Sequence, residues 1–179
     1  AGFVGSSLAR RYRAQYSDRR IVAFDNLKRR GAELNLADFK ALDIEFVHGD
    51  VRVADDLASV PGEFELLIDA SAEPSAHAGA DGAPDYLIDT NLGGTLNCLE
   101  WARQRGSALL FLSTSRVYAL PALRGLPLKE EETRLSVDTD QPLPAGLSAN
   151  GIGEAFDTSR HRSLYGATKL ASELFIQEY

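Results

Sequence analysis

Four short apolar runs, each ending in polar residues, constrain this chain more than any other feature. They are RIVAFDN (20–26), IEFVHGD (44–50), ELLIDAS (65–71) and ALLFLSTS (108–115). Runs of this length suit strands buried on both faces, as in a parallel sheet. Helical stretches lie between them. Phe3, Val4, Leu8 and Tyr12 recur at helical spacing within 3–16. Further helices are expected near 33–41, 53–60 and 84–105, the last opening at Pro84 and closing at Gly106. The final stretch, SLYGATKLASELFIQEY (163–179), reads as a helix with Ser163 as its N-cap. The alternation predicts an α/β fold, a doubly wound parallel sheet covered by helices on both faces. A chain of 179 residues is enough for one such domain with a sizeable core. Residues 119–162 break the rhythm. They are rich in proline and acids and carry no clear period, which suits a long insert or lid.

The start of the chain, AGFVGSSLARRY, places Gly2 and Gly5 just ahead of helical residues. Glycines at a strand–helix turn let backbone approach a pyrophosphate, and the helix N-terminus stabilises its charge. Phe3 and Val4 lie between them. Asp25 follows Gly5 by 20 residues, at the carboxyl end of the first apolar run. A carboxylate there can accept hydrogen bonds from an adenosine ribose and would repel a 2′-phosphate, so NAD is expected over NADP. Lys28, Arg29 and Arg30 qualify that preference, because cations can hold the extra phosphate.

Tyr165 and Lys169 stand four apart on the last helix and share a face. A free phenol, with a pKa of about 10, is a poor base at neutral pH. A nearby ammonium favours the phenolate, and the pair can then remove a hydroxyl proton while hydride leaves the same carbon. FLSTSRVY (111–118) places Ser113, Thr114 and Ser115 at a strand's carboxyl end, where ligands bind in open sheets, and one hydroxyl there can bond the reacting oxygen. Asp50, next to Val51, ends the second run and can take an adenine amine. Ala70, Ser71 and Ala72 end the third, and small residues there admit a flat cofactor. Asn91 sits inside a helix next to Gly93 and Gly94, a local conflict that points to function or to a kink.

Composition excludes other classes. The net charge of −7 argues against a nucleic-acid footprint and against docking on an anionic membrane. No apolar run reaches the roughly 20 residues of a spanning helix. A single cysteine, Cys98, permits no internal disulfide and suits a reducing cytoplasm. His48, His77 and His161 stand apart without metal-ligand spacing, so no metal is expected.

The set AGFVGS, DNL, GDVR, NLGGT, STSRVY and YGATK, in this order, resembles the extended short-chain dehydrogenase/reductase family of NAD-dependent nucleotide-sugar epimerases and dehydratases. The resemblance covers essentially the whole chain and implies a Rossmann-like, NAD(P)-binding domain. It implies Thr114, Tyr165 and Lys169 as the catalytic hydroxyl, base and lysine, with Thr114 and Ser115 facing substrate. Gly2, Phe3, Val4, Gly5, Asp25, Asn26, Asp50, Val51, Ala70, Ser71, Ala72, Asn91, Ser113, Tyr165 and Lys169 are the implied cofactor contacts. The 4,6-dehydratases carry an Asp-Glu pair where this chain has Ser115 and Arg116, so the acid needed to eliminate water is missing and an epimerase is implied. A silent cofactor-binding scaffold is the alternative from another class. The implied partner is a CDP- or UDP-hexose, and the whole protein is expected to be a homodimer. In two places the chain departs from the family pattern: Asp69 stands where His is frequent, and the 119–162 insert has no residue-by-residue counterpart. The resemblance further implies a chain truncated at both ends. Residues 1–179 would lack the first strand and the C-terminal substrate segment, and would be inactive alone.

Overall fold

The computed structural model describes residues 1–75 and 83–179, so His77 lies outside the described residues. Helix α1 (Phe3–Gln15) leads to strand β1 (Val22–Asp25), a short 3-10 turn (Ala32–Asn35), α2 (Leu36–Ala41) and β2 (Glu45–His48). Then come α3 (Ala54–Ala58), β3 (Leu66–Asp69), α4 (Asp85–Ile88), a π-helical turn (Asp89–Gly93), α5 (Gly94–Arg105) and β4 (Ala108–Phe111). The alternation read from the sequence is therefore present, with the strands parallel in both pairs. β1 lies beside β2 with Val22 opposite Glu45, and β3 beside β4 with Leu66 opposite Ala108. The fold is a Rossmann-type α/β fold.

The sheet is not continuous among the described residues. β1–β2 and β3–β4 form two separate parallel pairs. The inner edges of β1 and β3 face a common cleft of about 1340 Å³, lined by Val22, Ala23 and Phe24 on one side and Leu66, Leu67 and Ile68 on the other. The expectation that all four runs are buried on both faces is corrected here. Residues of β1 are only half-buried, and Leu110 of β4 is 44% exposed. An open edge beside each pair leaves the apolar side chains without cover.

Each pair has its own core. Phe39 and Ile44 pack with Ala1 and Ala32 beside β1–β2. Trp101, Cys98, Ala102 and Leu57 pack between α5, α3 and the β3–β4 pair, and the Trp101 indole N–H donates to the Leu57 carbonyl at 2.9 Å.

Residues 119–162 contain more structure than their lack of period suggests. They form α6 (Leu120–Arg124), a hairpin of β5 (Leu128–Glu130) with β6 (Leu135–Val137), and a tight pair of β7 (Leu147–Ser148) with β8 (Gly151–Ile152). Strands of two or three residues are too short to show alternation. The segment is tied down at its base: Ala119 N–H donates to Asp157, Leu120 N–H to His161, and the Tyr118 and Phe156 rings meet edge to face at 5.6 Å. The last helix, α7 (Leu164–Glu178), follows.

Candidate active site

The site begins with how α7 is seated. Ser163 caps it, its hydroxyl accepting the Gly166 N–H at 3.1 Å. Thr114 caps the 3-10 turn Ser115–Val117 in the same way, accepting the Arg116 N–H at 3.2 Å. The two caps face a close crossing: a Cβ on Gly166 would stand 2.1 Å from the Arg116 carbonyl oxygen. Only glycine lets the helix lie on this turn. The crossing brings the Tyr165–Lys169 face of α7 to the segment that carries Thr114. Tyr165, Lys169 and Ser113 line the large cleft, whereas Thr114 and Ser115 belong to the adjoining turn and do not.

Lys169 is 1% exposed and its ammonium sits 3.7 Å from the centre of the Phe111 ring. Among the described residues no acceptor takes a hydrogen bond from it. Burial pushes its pKa down, while the charges of Asp69 and then Glu173 oppose that shift. Ser113 donates its hydroxyl proton to Glu173, one helical turn beyond Lys169. Asp69, at the end of β3, is 3% exposed. It accepts hydrogen bonds from the Ser71 N–H at 3.0 Å, the Ser71 hydroxyl at 2.6 Å and the Thr95 hydroxyl at 2.9 Å. Sequence reasoning passed over Asp69 and Glu173 as site residues. An acid closing an otherwise apolar strand, and another four residues after Lys169, were the available signals.

Asn91 is fully buried in the π-helical turn. Its carbonyl oxygen accepts the Glu73 N–H at 2.7 Å and its amide donates to the Glu73 carbonyl at 3.2 Å. The structure thus gives both the kink and a purpose for it: Asn91 holds the loop after β3 and does not line the cleft. Ser172 on α7 donates to the Asn91 carbonyl at 3.2 Å, joining the helix to the same turn.

At the other end of the cleft, Gly2, Phe3, Val4 and Gly5 open α1 beside Asp25, Asn26, Val51 and Ala70 to Ala72. Asp25 accepts the Leu27 N–H at 2.7 Å. Asp50 does not line the cleft. It pairs with Arg52 at 2.7 Å and accepts the Asn26 amide at 2.9 Å, and Arg52 above all holds its carboxyl well below the usual range. Lys28 lies 3.1 Å from the centre of the Tyr86 ring, with Arg52 at 4.7 Å from the same ring. Lys28 and Arg29 border the cleft.

These residues fit a dinucleotide. The cleft is continuous from the glycine turn to Tyr165, and the Thr90 hydroxyl is buried on its wall without a hydrogen bond among the described residues. The Lys169 ammonium, also on the cleft, rests on the Phe111 ring and makes no hydrogen bond among the described residues. Unpaired buried polar groups are costly, and ribose and carboxamide groups of a bound dinucleotide supply the missing partners. Among the described residues no cluster of His, Cys, Asp or Glu suits a metal, and no helix is long and apolar enough to cross a membrane.

Comparison with known proteins bears on the same residues. The chain is 33% identical to CDP-paratose 2-epimerase of Salmonella typhi over 183 aligned residues, covering 99% of this chain and 50% of that protein. The dTDP-glucose 4,6-dehydratase of Streptomyces venezuelae, solved with NAD bound, superposes with a TM-score of 0.68 at 27% identity, over 100% of this chain and 49% of that one. The UDP-Glc/GlcNAc 4-epimerase of Campylobacter jejuni gives a TM-score of 0.73 at 20% identity, over 99% of this chain and 46% of that one, a likeness of fold alone. The chain thus spans about half the length of the relatives it matches. The NAD dependent epimerase/dehydratase family matches residues 1–179 throughout. With the glycine turn, Ser113 and the Tyr165–Lys169 helix on one cleft and Thr114 on the adjoining turn, the chain belongs to that family.

Proposed function

We propose that the full-length protein carrying this chain is an NAD-dependent nucleotide-sugar epimerase, and that residues 1–179 are its cofactor-binding domain. The observation that carries the reading is the crossing at Gly166, which seats Tyr165 and Lys169 against the Thr114 turn, with Ser115 and Arg116 beside it in place of an acid pair. Gly2 to Gly5 would receive the pyrophosphate, Asp25 the adenosine ribose, Ala70 to Ala72 the flat body of the dinucleotide, and Lys169 the nicotinamide ribose. When bound, NAD accepts a hydride from a sugar carbon and returns it to the opposite face. Tyr165 takes the hydroxyl proton from that carbon and later gives it back. Thr114 donates a hydrogen bond to the same oxygen. Lys169 keeps the phenolate accessible through its charge.

The cleft between β1 and β3 supports a domain proposal as well. Both strands present inner edges and apolar residues to it, as a central parallel strand would require. A strand preceding Ala1 in the longer protein is its natural occupant, and a segment beyond Tyr179 would complete the sugar-nucleotide site. On this reading residues 119–162 form a lid over the substrate, and the isolated chain is inactive. The exposed Leu174 and Phe175 of α7 support a homodimer in the whole protein. The single cysteine supports a cytoplasmic setting.

Similarity to the Salmonella enzyme favours inversion at C2 of a CDP-hexose. The test is a product assay of the full-length protein with NAD and a panel of CDP- and UDP-hexoses. The expected product is the C2 epimer of a CDP-sugar. A C4 epimer of a UDP-hexose would move the assignment to a 4-epimerase, and a 4-keto-6-deoxy sugar would overturn the epimerase reading.

A further inference from the structure

The loop after β1 reaches α4 through Lys28. Its path is set by a tight turn. Asp25 accepts the Leu27 N–H at 2.7 Å, Leu27 takes the left-handed conformation at a φ of 53°, and the Asn26 side-chain oxygen accepts the Lys28 N–H at 3.0 Å. A leucine in that region is uncommon and persists because its surroundings hold it.

Beyond this turn the Lys28 ammonium lies 3.1 Å from the centre of the half-buried Tyr86 ring. The negative face of an aromatic ring attracts a cation. Lys28 follows β1 and Tyr86 follows β3, and both border the cleft, so the contact joins its two halves. The ammonium rests on the ring and not on Asp25, only three residues before it.

Arg52, after β2, comes to the same ring at 4.7 Å, but its guanidinium is already committed. It donates from Nε to one Asp50 oxygen at 3.0 Å and from Nη2 to the other at 2.7 Å. The first oxygen also accepts the Arg52 N–H at 3.0 Å, and the second the Asn26 amide at 2.9 Å. Two hydrogen bonds on each oxygen fill the carboxylate. A circuit therefore closes from Tyr86 through Lys28, Asn26, Asp50 and Arg52 back to Tyr86. Lys28 is the member whose charge is held by the ring alone among these contacts.

This placement bears on which dinucleotide the cleft accepts. A 2′-phosphate on the adenosine ribose needs a cation near the strand-end position that receives the ribose. Lys28 and Arg29 border the cleft within four residues of Asp25. To pair with such a phosphate, Lys28 must leave the ring.

We propose that Tyr86 is a positioning residue for cofactor selection: its ring retains the Lys28 ammonium and so weakens the binding of a 2′-phosphorylated dinucleotide relative to NAD. The inference rests on the assignment of Asp25 as the ribose acceptor. It adds a residue outside the motifs that point to the cofactor.

The readout is the ratio of NADP to NAD affinity, from calorimetric titration of the full-length protein. Tyr86→Leu releases Lys28, and the ratio should rise about threefold, the scale of an exposed cation–ring contact. Tyr86→Phe keeps the ring and should keep the ratio of the unaltered protein. In a Lys28→Met background, Tyr86→Leu should leave the ratio where Lys28→Met alone sets it. A Tyr86 that only packs, or only touches the adenine, would move both affinities together. A ratio unchanged or lowered in Tyr86→Leu, raised in Tyr86→Phe, or raised as much without Lys28 as with it would each overturn the proposal. One measurement needs no variant fold: NMR of labelled lysine in the unaltered protein, with Lys28→Met identifying the signal. The Lys28 ε-methylene protons should be shifted upfield by the ring in the NAD complex, and less so in the NADP complex. No upfield shift with NAD, or an equal shift with both cofactors, would equally reject it. Asp25→Asn is the separate control: unchanged NAD affinity there would reject the ribose assignment itself, whatever the ratio shows.

Discussion

The two halves of the cleft are built differently. The half made by β3, β4, α5 and α7 holds its reactive groups in a buried network within the chain. Lys169, Asn91, Thr95, Thr168 and Ser172 are all nearly or fully buried, and hydrogen bonds join α5 to β3 and α7 to the π-helical turn. The half made by α1, β1 and β2 is open. Phe3 is 87% exposed, and space around Gly2 is empty to 4 Å. The contrast teaches where each half draws its geometry. The half that carries the proposed catalytic residues is fixed by contacts that the chain makes with itself. The nucleotide half offers a surface whose shape is completed by what lies against it.

Substitutions can test that division, and the largest effect belongs to the catalytic half. Tyr165→Phe removes the proposed acid/base group and keeps the ring. Turnover of the full-length enzyme should fall about a hundredfold or more, with NAD affinity little changed. Steady-state kinetics beside a cofactor titration will check both.

Next in size is a pair of glycines. Gly166→Val forces a side chain onto the Arg116 carbonyl, where even a Cβ would stand at 2.1 Å. It should cost about 1–3 kcal/mol of stability, read from denaturant midpoints. Gly2→Ala meets open space at a φ of −63°, so stability should change by less than about 0.5 kcal/mol. Its effect should appear in NAD affinity instead, because the new methyl stands where the pyrophosphate approaches. If Gly2→Ala destabilised as much as Gly166→Val, the division between the halves would fail.

Asp25→Asn comes third. It removes a charged acceptor for the ribose, worth about 1.5–3 kcal/mol, so NAD should bind about tenfold or more weakly. NADP should lose less, since repulsion of its extra phosphate is relieved. Calorimetric titration of both cofactors will show whether Asp25 or Lys28 and Arg29 set the preference.

The smallest effect is a pH dependence in the nucleotide half. Arg52, and then Asn26, hold the Asp50 carboxyl below its ordinary pKa. A lowered folded-state pKa gives stability that is fully present above the unfolded value of about 3.9 and is lost as pH falls below it. Arg52→Met should therefore flatten the loss of stability below about pH 4 and leave the slope near neutrality unchanged. Chemical denaturation across that range measures it.

Much of this was legible in the sequence, for physical reasons that differ by element. The four apolar runs and the helices that separate them show their periods over enough residues to be read. Tyr165 and Lys169 are legible because four residues on a helix set one face. The π-helical turn was visible only as an awkward Asn91. Its purpose depends on Glu73, 18 residues away in the chain, which no local pattern reveals. The hairpins within 119–162 are too short and too exposed to carry a pattern. Asp69 was legible only as a departure from the family's frequent His: a strand-end acid ordinarily closes a turn, and this one does so with Ser71.

The central claim is that the catalytic half supports hydride transfer at a sugar carbon with Tyr165 as the base. The most direct measurement is the reaction of the full-length enzyme with its nucleotide sugar in deuterated water, read by NMR of the product. The account predicts an inverted sugar with no solvent deuterium at the inverted carbon, because the same hydride leaves and returns. Solvent deuterium at that carbon would show proton abstraction from carbon and contradict it.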